Sequence, residues 1–221
     1  MKPMEISKEK AAFLGRITAS VSHDIQNVLA IIKETSGLME DFFLMQQSGG
    51  LENFDAKVGK CLQTIKKQTY RGVDLTSGLN GFAHTSDVHQ ISIGIFGTLN
   101  RLISIAQRLF NQKGVDVSLM ECPTPCSILT DPVLFQMTVF SCIECLIDII
   151  GAKKAVSLDI QASEHGLAIR IVCQDTPLAY DDYSPKLIQS TQWTAINGLC
   201  EQIDMSAEII SDVPGILISI K

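Results

Sequence analysis

Residues 13–32 read FLGRITASVSHDIQNVLAII, and their apolar positions predict one long amphipathic helix. Steps of about 100° per residue place the apolar side chains of this segment and its continuation within a sector of roughly 80°. The members of this apolar stripe are Leu14, Ile17, Val21, Ile25, Val28, Ile32, Met39 and Phe43. His23 lies about 180° from Leu14 on the same projection. We therefore expect His23 to face solvent, with the acidic Asp24 directly after it.

The composition is that of a folded chain with an acidic surface. Of its 221 residues 46% are hydrophobic and 19% are charged, which suits one large domain or two small ones. The net charge of −6 argues against a nucleic-acid partner, because phosphate binding needs a basic face. No apolar run approaches the roughly 20 residues of a membrane span, and the first residues contain no apolar signal core. We expect a cytoplasmic protein without a membrane span.

The seven cysteines are an odd number, and several lie in apolar stretches, so reduced thiols are expected. Cys142 and Cys145, taken with Cys122 and Cys126, could form a four-thiolate zinc site. Cys142 and Cys145 share a predicted helix with many apolar residues, however, so we favour small buried thiols and expect no metal.

The other histidines and the paired acids give no catalytic pattern. His84, His89 and His165 have no paired acid or metal-ligand spacing, so solvated surface positions are expected. Asp181-Asp182, taken with Glu121, Glu144 or Asp148, could suggest paired carboxylates for hydrolysis. Nothing fixes their spacing, so solvated surface acids are expected. The common hydrolase, zinc-protease and phosphate-loop motifs are absent from the sequence.

Two long helices are predicted in the N-terminal part of the chain. The first extends from about Ser7 to Gln47 and stops at Ser48-Gly49-Gly50, and the second extends from about Leu51 to His84. The second helix has a near-heptad stripe of Val58, Leu62, Ile65, Gly72, Leu79 and Ala83. One antiparallel hairpin cannot cover both stripes, so two copies should pair as a four-helix bundle. We expect a homodimer built on residues from about 7 to 85.

After Asp87 the pattern mixes strands and helices. An extended segment that becomes helical covers Ile91–Phe110, and Asp131-Pro132 begins another helix, with Asp131 as N-cap, that ends near Ile150. Further elements are predicted as strands Val115–Leu119, Ser127–Leu129, Ala155–Ala162, Leu167–Cys173, Ala207–Ser211 and Ile216–Ile220, and a helix Thr191–Asp204. The fold class is therefore α+β, with a helical hairpin over residues 1–87 and an α/β sandwich over residues 88–221.

The segment around His23 resembles the phosphoacceptor box of bacterial sensor histidine kinases, closest to the nitrogen-regulation type with its Ser-His-Glu/Asp-x-x-Asn core. Residues 71–83 are similar to the second helix of the same dimerisation hairpin, and the order of elements after Asp87 resembles the kinase ATP-binding domain. One departure is Val28, which stands where such kinases usually have proline after Asn27.

The signatures that the resemblance implies for ATP are weak. Ser141 and Cys145 occupy the positions of the family's two asparagines, and a thiol is a poor ligand for magnesium. Asp175 keeps the acid of the family's next motif, but both of its glycines are missing. Asp175 is therefore a vestigial nucleotide-site position, and we do not expect productive ATP binding.

An intact acceptor with a degenerate ATP-binding domain resembles dimeric, kinase-derived histidine phosphotransferases. The resemblance implies a phosphoryl relay between His23 and an aspartate of a response-regulator receiver domain, with an upstream histidine kinase as a further partner. Asp24 would hold the N–H of the imidazole, and Asn27 would position the receiver or a water molecule. No intrinsic cofactor is expected, because the receiver would hold the Mg²⁺. The alternatives are a non-catalytic dimeric scaffold and a working kinase with an unusual nucleotide site.

Overall fold

The computed structural model describes residues 3–50, 52–87, 89–122, 125–150, 155–163, 166–174 and 179–220. Two long helices form the predicted hairpin, α1 (Pro3–Gly49) and α2 (Phe54–Ala83). Gly50 follows α1 with φ +86°, a left-handed conformation that glycine adopts without steric cost and that commonly ends a helix. The predicted stop at this position is confirmed.

The hairpin buries one stripe from each helix. Ile17, Val21 and Val28 of α1 are fully or almost fully buried, as predicted. On α2 the buried side chains are Cys61, Leu75 and Phe82, a line that repeats at multiples of seven residues. Two members of the predicted α2 stripe are wrong, because Leu62 and Ala83 point outward. The buried residues are instead Cys61 and Phe82, each one position earlier. Sequence periodicity does not distinguish between such adjacent positions.

The rest of the chain forms an α+β sandwich, as predicted. Its elements are a 3₁₀ turn His84–Asp87, β1 (Ile91–Gly94), α3 (Ile95–Gln112), β2 (Asp116–Leu119), β3 (Ser127–Thr130), α4 (Pro132–Ile150), β4 (Ala155–Ser163), β5 (Gly166–Cys173), α5 (Tyr180–Ile188), α6 (Thr191–Gln202), β6 (Met205–Ile209) and β7 (Gly215–Ile220). The five-stranded sheet has the order β2-β4-β5-β7-β6, with β2 and β4 parallel and the other neighbours antiparallel. Strands β1 and β3 form a separate antiparallel pair.

The helix α4 lies at the centre of the sandwich and begins as predicted. The Asp131 carboxylate accepts hydrogen bonds from the backbone N–H groups of Val133 and Leu134 at 3.0 and 2.9 Å. The expectation that no apolar run approaches the length of a membrane span is wrong, because Pro132–Ile149 has the length and composition of such a span. Because 78% of that window is buried inside the fold, its apolarity is that of a core helix packed against β5, β7 and α6.

The core of the sandwich continues into the hairpin through a cluster of four aromatic rings. Phe13 of α1 lies 5.7 Å from Phe82 of α2 and 5.4 Å from Phe140 of α4, measured between ring centroids. Phe110 of α3 lies 5.4 Å from Phe140. All four rings are buried, so four helices share one core across the predicted domain boundary at residue 87.

The close approach of α2 to α3 depends on Gly78. A β-carbon at Gly78 would lie 2.8 Å from Cγ2 of Ile105, a buried and stiff β-branched side chain. We expect Gly78→Ala to lower the free energy of unfolding by about 1–2 kcal/mol, because overpacking outweighs the gain in helix propensity.

The matched control for Gly78→Ala is Gly59→Ala in the same helix. A β-carbon at Gly59 meets no atom within 4 Å, so the substitution should raise stability by about 0.5–1 kcal/mol. Chemical denaturation of both variants measures the difference. Equal stability of the two variants would contradict the close contact between α2 and α3.

Candidate functional site

His23 lies on the exposed side of α1, as predicted. Asn27, one turn further along the helix, places its side-chain nitrogen Nδ2 3.1 Å from Nδ1 of the imidazole. Residues four apart lie on the same helix face, so this pair follows directly from the spacing. Because an amide nitrogen can only donate, Nδ1 accepts in this arrangement, and a neutral ring carries its proton on Nε2. The contact orients the ring through Nδ1 and leaves Nε2 without a contact to Asn27.

Asp24 has a different partner from the one predicted. Its carboxylate lies 3.5 Å from Nε of Arg108 on α3, and its side chain is only 13% exposed. The expectation that Asp24 holds the His23 ring is therefore wrong, since Asn27 makes that contact. The physical reason is helix geometry, because consecutive residues point about 100° apart and do not face each other.

A polar cleft of about 560 Å³ opens beside this acid, between the hairpin and α3. Its walls include both charges of the ion pair and a second pair of opposite charges on α2. The lining contains Asp24, Arg71, Asp74, Ser104, Arg108 and Asn111. Asp24, the residue after His23, lines this cleft, and His23 itself does not.

A second charged cluster holds the N-terminal part of α1 against α4. The guanidinium of Arg16 donates two hydrogen bonds to the Glu144 carboxylate, at 2.5 and 2.6 Å, and it also lies over the Phe140 ring. Lys113 contacts both Glu144 and Asp148, at 3.2 and 2.8 Å. Near the start of α1, Lys10 pairs with Asp131.

The ionisation of this cluster is shifted toward the charged forms. The hydrogen bond to Glu144 outweighs burial and raises the pKa of the Arg16 guanidinium. Burial acts to lower the pKa of Lys113, but its bonds and charge interactions with Asp148 and Glu144 raise it overall. Burial acts to raise the pKa of Asp148, and hydrogen bonds from Lys113 and Gln192 lower it overall.

The two positions of α4 that correspond to the family's asparagines lie near this cluster. Cys145 is completely buried, and its sulfur lies 3.9 Å from the Ser190 hydroxyl oxygen. Ser141 lines a shallow cleft of about 300 Å³ whose walls also include Phe13 and Arg16. Asp175, the third predicted position, lies outside the described residues. Side chains of α1 thus cover part of the face of α4 that contains Ser141.

Two of the cysteines and two of the histidines named from the sequence lie in the core and at the surface, respectively. Cys142 and Cys145 are buried in the core, as predicted, and His84 and His89 are exposed, as predicted. His165 lies outside the described residues. Within the part of the chain that the structure describes, no group of three or more histidine, cysteine or acidic side chains is arranged to hold a metal ion.

Sequence reasoning missed Arg108 and the ion pairs of Glu144 and Asp148 with Arg16 and Lys113. The expectation that Glu144 is a solvated surface acid is wrong, because its side chain is 16% exposed and paired. Arg16 and Glu144 are 128 positions apart, so no local pattern links them.

Comparisons with known proteins find similarity at the level of fold alone. No family model and no curated protein matches the chain. The histidine kinase AdeS of Acinetobacter baumannii is 8% identical, with 84% of this chain and 93% of that chain covered and a TM-score of 0.44. A bacterial phosphotransferase is 13% identical, with 95% and 96% covered and a TM-score of 0.45.

A complex of the histidine kinase ThkA with the response regulator TrrA is 12% identical, covering 96% of this chain and 62% of that one, with a TM-score of 0.47. These three likenesses have identities of at most 13% and TM-scores below 0.5. Identity this low describes the fold and says nothing about the chemistry of this chain.

Proposed function

We propose that this chain is a histidine phosphotransfer protein of two-component signalling that relays a phosphoryl group between His23 and an aspartate of a receiver domain. The observation that carries the proposal is the exposed His23 ring, held through Nδ1 by Asn27 at 3.1 Å. A neutral imidazole is a nucleophile through the nitrogen that carries its lone pair, and an oriented ring presents that nitrogen in a fixed direction. A merely solvated histidine needs no such partner.

The transfer step requires His23 to react at Nε2. Rotating the Asn27 amide by half a turn presents its oxygen, Oδ1, which then accepts the proton on Nδ1. In that tautomer Nε2 carries a lone pair, which attacks the phosphorus of the aspartyl phosphate while the receiver carboxylate leaves. The ring becomes cationic, and the Asn27 oxygen stabilises the remaining N–H. The reverse transfer follows the same path, and Mg²⁺ on the receiver balances the phosphoryl charge.

We assign Asp24 and Arg108 a positioning role beside this histidine. Their ion pair joins the acceptor helix α1 to α3 and fixes the wall of the adjoining cleft. Arg71 and Arg108 are balanced in that cleft by Asp24 and Asp74, so the cleft offers a partner both donors and acceptors of hydrogen bonds and no net charge. The receiver would therefore contact both the hairpin and the sandwich.

We further propose that the chain does not use ATP productively. The buried thiol of Cys145 and the hydroxyl of Ser141 replace two amide ligands. The Arg16–Glu144 pair and Phe13 lie across part of the same face, so a nucleotide would have to displace packed side chains of α1. Calorimetry with ATP and Mg²⁺ tests this point, and micromolar binding would contradict it.

The decisive experiment for the relay starts from a labelled receiver. Purified receiver domains from the same organism are phosphorylated with a small phosphoramidate, freed of reagent, and mixed with the chain. We expect the label to move to the chain as an acid-labile, alkali-stable phosphohistidine. A receiver that binds without losing its label would favour the scaffold, and labelling by ATP without a partner would favour a kinase.

A homodimer is the proposed working form. Leu29 of α1 is 60% exposed, and Leu62 and Val73 of α2 are 54% and 55% exposed. These apolar side chains lie outside the buried stripes of the hairpin. Phe43 of the predicted α1 stripe is also 47% exposed, but it contacts Phe54 of α2. Apolar side chains on the outer faces of paired helices are typical of bundles, so a second copy of the hairpin is the proposed partner.

Charge placed among these exposed apolar side chains should separate the dimer. We expect the wild-type chain to sediment at about twice its monomer mass, and the double variant Leu29→Glu with Leu62→Glu to sediment as a monomer. The matched control is Leu129→Glu on β3, which is 69% exposed and lies outside the hairpin. A wild-type chain that stays monomeric at micromolar concentration would contradict the dimer.

A further inference from the structure

The segment between β2 and β3 contains two cysteines that face each other. The sequence there is Cys122-Pro123-Thr124-Pro125-Cys126, and the Cys126 thiol is hydrogen-bonded to the side chain of Cys122. Both side chains are half-buried and pack against the edge of the core. The two sulfur atoms therefore meet at a place that small molecules can reach.

The backbone on both sides of this pair is fixed. The N–H of Met120 donates to the carbonyl oxygen of Leu158 at 2.8 Å, and the carbonyl of Cys126 accepts from the N–H of Ile95 at 3.0 Å. These bonds tie one end of the segment to the sheet and the other to the start of α3. Holding the ends in place keeps the two cysteines close, which lowers the entropic cost of joining them.

The other five cysteines behave differently. Cys61, Cys142, Cys145, Cys173 and Cys200 are at most 5% exposed. Burial raises the pKa of the Cys200 thiol to about 11 and that of the Cys142 thiol well above its ordinary value, so both stay protonated and unreactive. The protein therefore contains one accessible pair of cysteines in contact with each other and five buried thiols.

We propose that Cys122 and Cys126 form a reversible intramolecular disulfide, and that this pair is a thiol-oxidation site of the protein. The oxidant is a small-molecule disulfide such as oxidised glutathione. The thiolate of one cysteine attacks a sulfur of that disulfide and expels one glutathione thiolate, leaving a mixed disulfide. The second cysteine thiolate attacks the protein sulfur of the mixed disulfide and expels the second glutathione. Two protein thiols are oxidised, one glutathione disulfide is reduced to two thiols, and the two protons released by the protein thiols are taken up by the two glutathione thiolates.

Burial and the neighbouring Cys122 raise the pKa of the Cys126 thiol. Either cysteine can make the first attack, because the exchange ends in the same disulfide. The proposal is independent of the phosphoryl relay, since it concerns residues outside the His23 site.

The test uses the folded, full-length chain equilibrated in glutathione mixtures of increasing oxidised fraction. Each sample is quenched in acid, alkylated under denaturing conditions and mapped by mass spectrometry. We expect the peptide with Cys122 and Cys126 to lose both alkyl groups together and to become lighter by two hydrogen atoms than its reduced form. The five buried cysteines should remain fully alkylated, and they serve as the internal control.

A single variant tests the second step of the exchange. Cys126→Ser, which lacks the second thiol, should stop at a mixed disulfide and gain one glutathione on Cys122. The proposal is wrong if Cys122 and Cys126 of the wild-type chain stay alkylated at the most oxidising mixture. Glutathione retained on one of them, or disulfides that link separate chains, would also overturn it. The main readout uses the wild-type protein, so the disulfide is tested even where the variant fails to fold.

Discussion

Replacing His23 with alanine is expected to abolish phosphoryl transfer with a receiver domain, by about a thousandfold or more, because no other group replaces a lost nucleophile. The same variant should keep the melting temperature of the wild-type chain, since the side chain is exposed and packs against no core residue. The measurement is single-turnover loss of label from a phosphorylated receiver.

The matched control is His89→Ala, which removes another exposed histidine far from Asn27 in the sequence. This control should transfer at the wild-type rate. Unchanged transfer by the His23 variant would refute the assignment, whatever the receiver. A further variant, Asn27→Ala, should slow transfer without removing it, because the ring keeps its nucleophile and loses its orientation. Together these variants separate the reacting group from the group that holds it.

Replacing Phe13 with alanine is expected to have the largest effect on stability, a loss of about 3–5 kcal/mol. The ring is 6% exposed and contacts Phe82 and Phe140, so its removal leaves a cavity where α1, α2 and α4 meet. Chemical denaturation followed by circular dichroism measures the loss. We also expect faster hydrogen exchange in the first turns of α1, where contact with the sandwich is lost.

Two controls distinguish packing from charge at this junction. Phe43→Ala removes a ring on the same helix that is 47% exposed, and it should cost less than 1 kcal/mol in the monomer, well below the loss of about 3–5 kcal/mol from a buried ring. Arg16→Ala removes one of the two ion pairs of Glu144, which keeps Lys113 as a partner, and we expect a loss of about 1 kcal/mol. If Arg16→Ala cost as much as Phe13→Ala, charge rather than packing would hold the hairpin to the sandwich.

Local sequence signals predicted most of the fold. The hairpin, the glycine stop after α1 and the Asp131 cap each depend on residues close together in the chain, and all are present. Helix α5 was not predicted, because its nine residues include Pro185 and few apolar positions. Helix α4 is apolar over a length that could span a membrane, and in the fold several elements distant in the chain cover it. Local sequence does not reveal which elements these are.

The candidate site was predictable in part for the same reason. The exposed position of His23 and its spacing to Asn27 are properties of one helix, and sequence periodicity is enough to find them. The partner of Asp24 is Arg108 on α3, and no pattern within either helix identifies such a pair. Asp175, the homodimer and the absence of productive ATP binding stay predictions that experiments must test.

The contacts of α1 with the sandwich restrict how this long helix can tilt. It is one helix of 47 residues, held to α4 near Phe13 and to α3 at Asp24. From Asp24 to Gly49 the helix rises about 38 Å, so a tilt of about 5° about Asp24 would move its last residue by about 3 Å. His23 lies next to Asp24 and would hardly move. A force applied at the C-terminal end of α1 would thus leave the position of His23 nearly unchanged.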